Sequence, residues 1–361
     1  MLLLGFCAGT RDVSVYVFYR DAVTKRSVAL NMADLAERAG VSIATVSRAL
    51  SGAPGVSEET RRKIRLLADD LSYAVSPDAA RLARGSSGRV AVVTPDVSHW
   101  FYASMLDGIV TGLRGTDLDV LLYEVKEERE RRRFFDELPA RRQVDALILV
   151  ALPISDDERR RLDLMGVTVV MAGGTLGDHP HVRIDDVEAG RQATTQLVRA
   201  GHTRIAMINS TGTWSLEYAA PSARLRGFTT VLSEAGLDAS LVVNRHWGSH
   251  GGVEGMSELL SRPDPPTGVV AFSDEVAFGA LRTLRRAGVA VPHTMSVVGI
   301  DDHHLADMFD LTTVRQPVTE QGLVAGQLVH QILQEGEPTA AHVTLPTQVV
   351  ARGTTAPPAT T

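Results

Sequence analysis

Two pairs of adjacent carboxylates stand where chemistry could be done. Asp274-Glu275 follows the apolar run GVVAFS, and Asp301-Asp302 follows MSVVGI. Neighbouring carboxylates can divide the roles of general acid and base, accept hydrogen bonds from ligand hydroxyls, or cap helices that begin there. Trp100 and Phe101 follow a third apolar run, VAVVT, in the loop PDVSHWFYASM. Rings in such a loop either plug the core or offer a flat face to a ligand. Histidines come in close pairs, His179 with His181, His246 with His250 and His303 with His304. None of these pairs has the carboxylate or cysteine partners of a metal motif, so no metal is expected. Gly251-Gly252 lacks the strand-then-GxGxxG context of a dinucleotide site, no Walker lysine is present, and no serine sits in a nucleophile elbow. These features predict neither a cofactor nor an enzyme.

A different chemistry is written in Ser42, Ile43, Ala44, Thr45, Ser47 and Arg48. An arginine can reach the O6 and N7 of guanine, and apolar Ile43 and Ala44 can favour a thymine methyl but make no bidentate hydrogen bonds. The hydroxyls of Ser42, Thr45 and Ser47 suit phosphate oxygens. The surrounding pattern supplies an element to carry them. Asn31 can cap a helix in which Met32, Leu35, Ala36 and Ala39 recur at helical spacing. Gly40 permits a left-handed bend, and Ser42 can cap a second helix with Ile43, Val46, Ala49 and Leu50 on its apolar side. This spacing predicts a helix-turn-helix whose second helix enters a DNA major groove. Ser57 caps a third helix, acidic in its first turn at Glu58 and Glu59, with Ile64, Leu67, Ala68 and Leu71 packing on the first two. Arg61, Arg62, Lys63 and Arg65 read as a solvated face of that helix. Ser76-Pro77 then opens a short alanine-rich segment that ends at Gly85-Ser-Ser-Gly88.

From Arg89 the pattern changes. VAVVT, VLLYEV, ALILVAL, VTVVMA, RIAMIN, GVVAFS and MSVVGI are short and apolar on both faces, with helical stretches between them at 103–115, 127–138, 187–201, 224–236 and 275–288. Buried parallel strands joined by helices read this way, so the expected class is a doubly wound α/β core behind an all-α helix-turn-helix head. The length exceeds one sheet of ordinary size. Ligands of such sheets bind beyond the carboxyl ends of the strands, where the carboxylate pairs and the aromatic loop lie.

The motif AGVSIATVSRAL, the helix from Ser57, the segment SPDAARLARG and the remainder through LPTQVVARG resemble the lactose-repressor/galactose-repressor family of bacterial transcription regulators over residues 28–354. The resemblance implies a two-lobed, periplasmic-binding-protein-like core with a sugar-like effector in its cleft. It implies ligand contact at Trp100 and Phe101, pocket-lining roles for Ser273, Glu275 and Asp301, an effector-binding arginine at Arg191 and an aromatic wall at Phe228. Asp274 and Asp302 read as structural. It also implies that 76–88 holds a hinge helix which orders on the operator, with Ala79 and Leu82 at the DNA and Leu82 wedged into the minor groove. The expected domains are a head at 28–75, this hinge and linker, a core at 89–354 and a tail at 355–361. Lobe 1 is expected at about 89–174 and 314–340, and lobe 2 at about 175–313 and 341–354. Partners are double-stranded operator DNA, a sugar or sugar derivative, and a second copy of the chain on a near-palindromic site. Effector binding would change operator affinity allosterically, and induction and corepression both stay open.

Bulk properties agree. The chain of 361 residues is 44% hydrophobic with a formal net charge of −6. Residues 28–89 carry nine basic against seven acidic side chains, so the net negative charge belongs to the body. A basic head on an acidic body suits phosphate contacts. A single cysteine, Cys7, excludes an internal disulfide and fits a reducing cytoplasm, with a nucleoid-associated location for a DNA-binding protein. Residues 1–27 do not fit the family pattern: MLLLGFC has no basic flank, no cleavage pattern and too short an apolar run to span a membrane, which leaves a disordered extension or a start codon set too far upstream. Rival readings are a sugar-binding transport protein, which would need a signal peptide and no head, an α/β enzyme with a helical accessory, and an activator in place of a repressor.

Overall fold

The computed structural model describes residues 32–71, 86–137, 144–211, 219–336 and 342–359. The extension at 1–27, Asn31 and the hinge segment with Ala79 and Leu82 lie outside the described residues. The chain divides into a small helical unit and a large α/β unit.

The helical unit comprises α1 (Met32–Ala39), α2 (Ile43–Ser51) and α3 (Glu58–Asp70). Gly40 takes φ +68° between the first two helices, a conformation that costs glycine little. Leu35, Ala36, Val46, Ala49, Ile64 and Ala68 form its core. Small Ala36 and Ala39 let the helices approach closely enough for one Ile and one Leu to fill the centre.

In the α/β unit, β1 (Arg89–Thr94), α4 (Trp100–Gly112), β2 (Asp119–Glu124), α5 (Glu128–Glu137), β3 (Ala146–Val150), α6 (Asp156–Met165), β4 (Thr168–Ala172) and β5 (His181–Ile184) come first. Then follow α7 (Asp186–Arg199), β6 (Ile205–Thr211), α8 (Ala219–Glu234), β7 (Val242–His246), α9 (Ser249–Leu260), β8 (Gly268–Ala271), α10 (Asp274–Arg286), β9 (Ser296–Asp301) and β10 (Thr312–Arg315). The unit ends with α11 (Val318–Glu335), β11 (His342–Leu345) and β12 (Gln348–Val350).

Two six-stranded sheets result, ordered β11-β5-β4-β3-β1-β2 and β12-β10-β9-β8-β6-β7. Among the described residues the strands pair in parallel except β10 with β12, which is antiparallel. The first sheet keeps β5 and later takes in β11, so lobe 1 runs past the expected boundary at 174 and holds 342–345, where the sequence places lobe 2. The physical reason is edge pairing: His181 to Ile184 have a ladder partner in His342 to Leu345. The chain therefore crosses between lobes near 185, near 316 and near 346.

Glycines set the helix spacing within each lobe. A Cβ on Gly108 would lie 2.0 Å from the Thr319 carbonyl oxygen, and one on Gly252 would lie 2.0 Å from that of Val276, so α4 meets α11 and α9 meets α10 backbone to backbone. Gly252→Val is expected to shift the urea midpoint of the α/β unit downward by about 2–3 kcal/mol of stability, because there is no flexible side chain to yield. An unchanged midpoint would contradict this close approach.

Candidate functional site

The first candidate surface is one side of α2. The Ser42 hydroxyl accepts the Thr45 N–H at 3.2 Å and lies 2.8 Å from the Thr45 hydroxyl, closing the helix start. Val46 and Ala49 face the core, while Ser42, Ile43, Ala44, Ser47 and Arg48 are exposed and Thr45 is half-buried. Ile43 keeps 51% of its surface exposed. Arg61 departs from the expected solvated face. It is buried, donating from Nη2 to the Ala53 carbonyl at 3.1 Å, because the loop after α2 leaves carbonyls that no helix can satisfy. Arg62, Lys63 and Arg65 are exposed.

The second site is a cavity of about 400 Å³ between the lobes of the α/β unit. Lobe 1 contributes Asp96, His99, Phe101, Lys126 and Met171, lobe 2 contributes Ser210, Arg224, Trp247, Phe272 and Asp301, and the crossover contributes Gln316. Trp247 Nε1 donates to the Ser273 hydroxyl at 3.0 Å, and the His99 ring stacks on the indole at 4.6 Å. Arg224 is buried between two carboxylates, Nε to Asp186 at 2.9 Å and Nη1 to Asp301 at 3.8 Å, and its Nη1 also donates to the Phe272 carbonyl at 2.6 Å. Lys126 pairs with Asp96 at 2.6 Å. Asp301 adopts φ +145° and Ala151, also in the lining, φ +44°, backbone strain of a kind that gathers at binding sites.

Burial pushes the carboxyls of Asp274 and Asp301 above the ordinary carboxylate range. Arg224 works against that shift at Asp301. Asp274 is fully buried, accepting the His303 N–H at 2.8 Å and the Thr313 hydroxyl at 2.6 Å. Asp302 bridges Arg315 at 2.6 Å and Arg352 at 2.7 Å. Burial drives His303 down to about 4, and its Nδ1 accepts the Leu305 N–H at 3.0 Å. Among the described residues no group of three or more histidine, cysteine or carboxylate side chains could hold a metal ion, and no helix is long and apolar enough to cross a membrane.

Of the effector residues expected from sequence, Phe101 and Asp301 line the cavity. Ser273 caps α10 and anchors Trp247 from behind. Glu275 and Trp100 lie beside the cavity: the Trp100 N–H donates to Glu275 at 3.1 Å, and the Trp100 ring sits 4.9 Å from His303. Two expectations are corrected. Arg191 faces outward on α7 in a two-pronged pair with Glu234 at 3.0 and 3.1 Å, and Phe228 is completely buried in the lobe 2 core. The arginine in the cavity is Arg224, one turn before Phe228 on the same helix. Trp247, Gln316, Lys126 and His99 were not anticipated. Trp247 follows β7, which sequence did not reveal as a strand because its Asn244, Arg245 and His246 break the apolar run; β7 is an edge strand and needs no second buried face.

A helix-turn-helix head together with a two-lobed α/β core around a ligand-sized cleft defines a ligand-binding transcription regulator. Residues 31–76 match the model of bacterial regulatory proteins of the lacI family, and residues 194–355 match a periplasmic binding protein-like domain. The HTH-type transcriptional repressor CytR of Escherichia coli is 30% identical over 92% of this chain and 98% of its own length. The HTH-type transcriptional regulator DegA of Bacillus subtilis is 29% identical over 90% and 97%. The structure of a transcriptional regulator CelR–cellobiose complex superposes with a TM-score of 0.67 at 30% identity, covering 90% of this chain and 99% of the other. The chain belongs to the lacI family of bacterial regulatory proteins and is a DNA-binding transcriptional regulator.

The lobes are joined across the cleft by a charged pair, His99 Nδ1 to Glu275 Oε2 at 2.7 Å. Glu275 raises the His99 pKa above its ordinary 6.5. At Glu275 burial pushes upward, but the hydrogen bond and charge of His99 prevail and hold it below its ordinary 4.5. The His99 contribution is complete below 6.5 and fades as pH climbs through the raised value, whereas the Glu275 contribution holds above 4.5 and fades in stronger acid. Glu275→Gln is therefore expected to lower the melting temperature more at pH 6 than at pH 8. Equal losses at both would show that the pair is not charged.

Proposed function

We propose that this regulator is a repressor whose operator affinity is set by a small sugar-like effector held between its lobes. The observation that carries the reading is the composition of the cleft. Aromatic Phe101, Trp247 and Phe272 line the same cavity as the hydrogen-bonding groups of Arg224, Asp301 and Gln316. A sugar ring needs both, an apolar surface for its C–H face and fixed polar groups for its hydroxyls. The relative crystallised with cellobiose and the relative named a repressor support the two halves of the reading. Such an effector acts through its different affinities for the DNA-binding and non-binding states. The reading involves no turnover of the ligand, and it places the protein in the bacterial cytoplasm.

On the DNA side, Arg48 reads a guanine, Ile43 and Ala44 contact base edges, and Ser42, Thr45 and Ser47 hold phosphates. Three or four base contacts per head make a homodimer on a near-palindromic operator the economical arrangement. Exposed Met308 and Phe309, the latter ring 4.8 Å from Phe278, form an apolar patch on lobe 2 suited to self-association.

Selection of a palindromic site from random DNA, followed by fluorescence anisotropy with the full-length protein, tests the reading. One enriched sequence and one sugar that changes its affinity are expected. No enrichment at low salt would defeat it. On the selected site, Arg48→Ala is expected to weaken specific binding by about 1–3 kcal/mol and to relax the preference at one base pair. Unchanged affinity and preference would remove Arg48 from base readout.

A further inference from the structure

The cleft contains a polar chain that ends on an unanswered atom. Asp301, at the end of β9 in lobe 2, accepts a hydrogen bond from Gln316 Nε2 at 2.5 Å. Gln316 Oε1 in turn accepts from Gln321 Nε2 at 3.3 Å. Gln321 belongs to the first turn of α11 in lobe 1, so the chain runs from one lobe to the other through the crossover. Gln321 lines the cavity, is 0% exposed, and its Oε1 is buried with no hydrogen-bond partner among the described residues.

The direction of this chain follows from its starting point. An amide is oriented by its partners. Asp301 accepts the Asp274 N–H on Oδ2 at 3.4 Å and turns Oδ1 toward the Arg224 guanidinium at 3.8 Å, so both of its oxygens face donors, and Gln316 turns its NH2 toward Asp301 and its oxygen toward Gln321. Gln321 must then use its own NH2 on Gln316, and the atom left over is an acceptor. A buried acceptor without a donor keeps its desolvation penalty, which an apolar side chain at the same position would not incur. A ligand that brings a donor to this point removes the penalty.

The charges of the lining select further. Its lysine and its arginine are both engaged: Lys126 by Asp96, and Arg224 by Asp186 and Asp301. His99 is engaged by Glu275. Asp96, Asp186 and Asp301 put three carboxyls on the same surface. A phosphate or carboxylate entering here would displace an existing ion pair and approach those carboxyls.

We propose that Gln321 is the specificity-determining residue of the effector cleft: its Oε1 receives a hydrogen bond from a hydroxyl of an uncharged, polyhydroxylated ligand, and the cleft discriminates against phosphorylated or carboxylated forms of the same ligand. The proposal rests on the sugar-effector reading and names its ligand class. A polar residue at this point makes discrimination sharp, because an analogue lacking the hydroxyl leaves Oε1 unpaired inside the complex.

The test is calorimetry and thermal shift on the full-length protein with ribose, glucose, galactose and cellobiose, the phosphate esters of these sugars, and singly deoxygenated analogues of whichever sugar binds. The expected result is binding of an uncharged sugar, at least about tenfold weaker binding of its phosphate ester, and a similar loss for one deoxy analogue. On Gln321→Met the parent sugar should lose about tenfold while that deoxy analogue loses nothing further, the signature of one shared contact. Preferential binding of the ester, or no deoxy analogue that weakens binding to the wild type, overturns the proposal and leaves the sugar reading standing. These wild-type measurements decide the matter even where the variant fails to fold. Failure of every carbohydrate to bind, charged or uncharged, overturns the sugar reading itself and the proposal with it.

Discussion

Buried carboxylates just after β8 and at the end of β9 govern the architecture of this cleft. Asp274 and Asp301 are both buried, and a buried polar group left without a hydrogen-bond partner costs about 1–3 kcal/mol. Each must therefore be met from several directions. Asp274 draws in the backbone of His303 and the hydroxyl of Thr313, and the main chain at Gly299 has room for it only because glycine has no Cβ: one placed there would lie 2.0 Å from Asp274 Oδ1. Asp301 draws in Arg224 from α8 and Gln316 from the crossover. Strand ends, a helix and a crossing segment are thus tied to one charge cluster. The strained backbone at Asp301 and Asp302, φ +145° and +58°, is held by those same partners.

The lobes themselves are built to resist deformation. Where α4 lies on α11, α7 on α8 and α9 on α10, glycines bring backbones into contact, and a Cβ at Gly108, Gly190 or Gly252 would collide with a carbonyl oxygen. Interfaces of this kind have no side-chain layer that can repack by small steps. Relative motion between lobes is then concentrated in the three crossing segments and in contacts made across the cleft. The His99 pair with Glu275 is one such contact, and the Gln316 link to Gln321 is another. A ligand that bridges the same surfaces adds to an existing interlobe connection and does not have to create one.

Much of this was legible in the chain. The helix-turn-helix could be read to the residue, because Gly40, Ser42, Ala36 and Val46 each satisfy a local rule: a left-handed turn, a cap, and small or apolar core positions. The α/β class followed from apolar runs of strand length. What escaped was long-range pairing. Arg224 and Arg191 both lie on helices, and only the fold shows that the partners of one are the distant Asp186 and Asp301 while the other meets Glu234 on the surface. The helix α9 was hidden for the opposite reason. Its glycines, poor helix formers, break the helical pattern, and only the neighbours that require them, Val276 and the His246 carbonyl, explain their place in a helix.

The two modules solve recognition with opposite physics, and this sets what regulation must act on. The head balances six basic against six acidic side chains over 28–75 and offers an exposed face with one arginine and several hydroxyls, a surface suited to phosphates and base edges. The cleft neutralises its own cations and presents directional acceptors instead, so its affinity is geometric. A weakly specific head gains sequence preference when two copies are held at a fixed spacing. Under the proposed repressor reading, effector binding acts on that spacing by shifting one lobe against the other. A few kcal/mol of differential ligand affinity can therefore change operator occupancy by orders of magnitude without any ligand near the DNA.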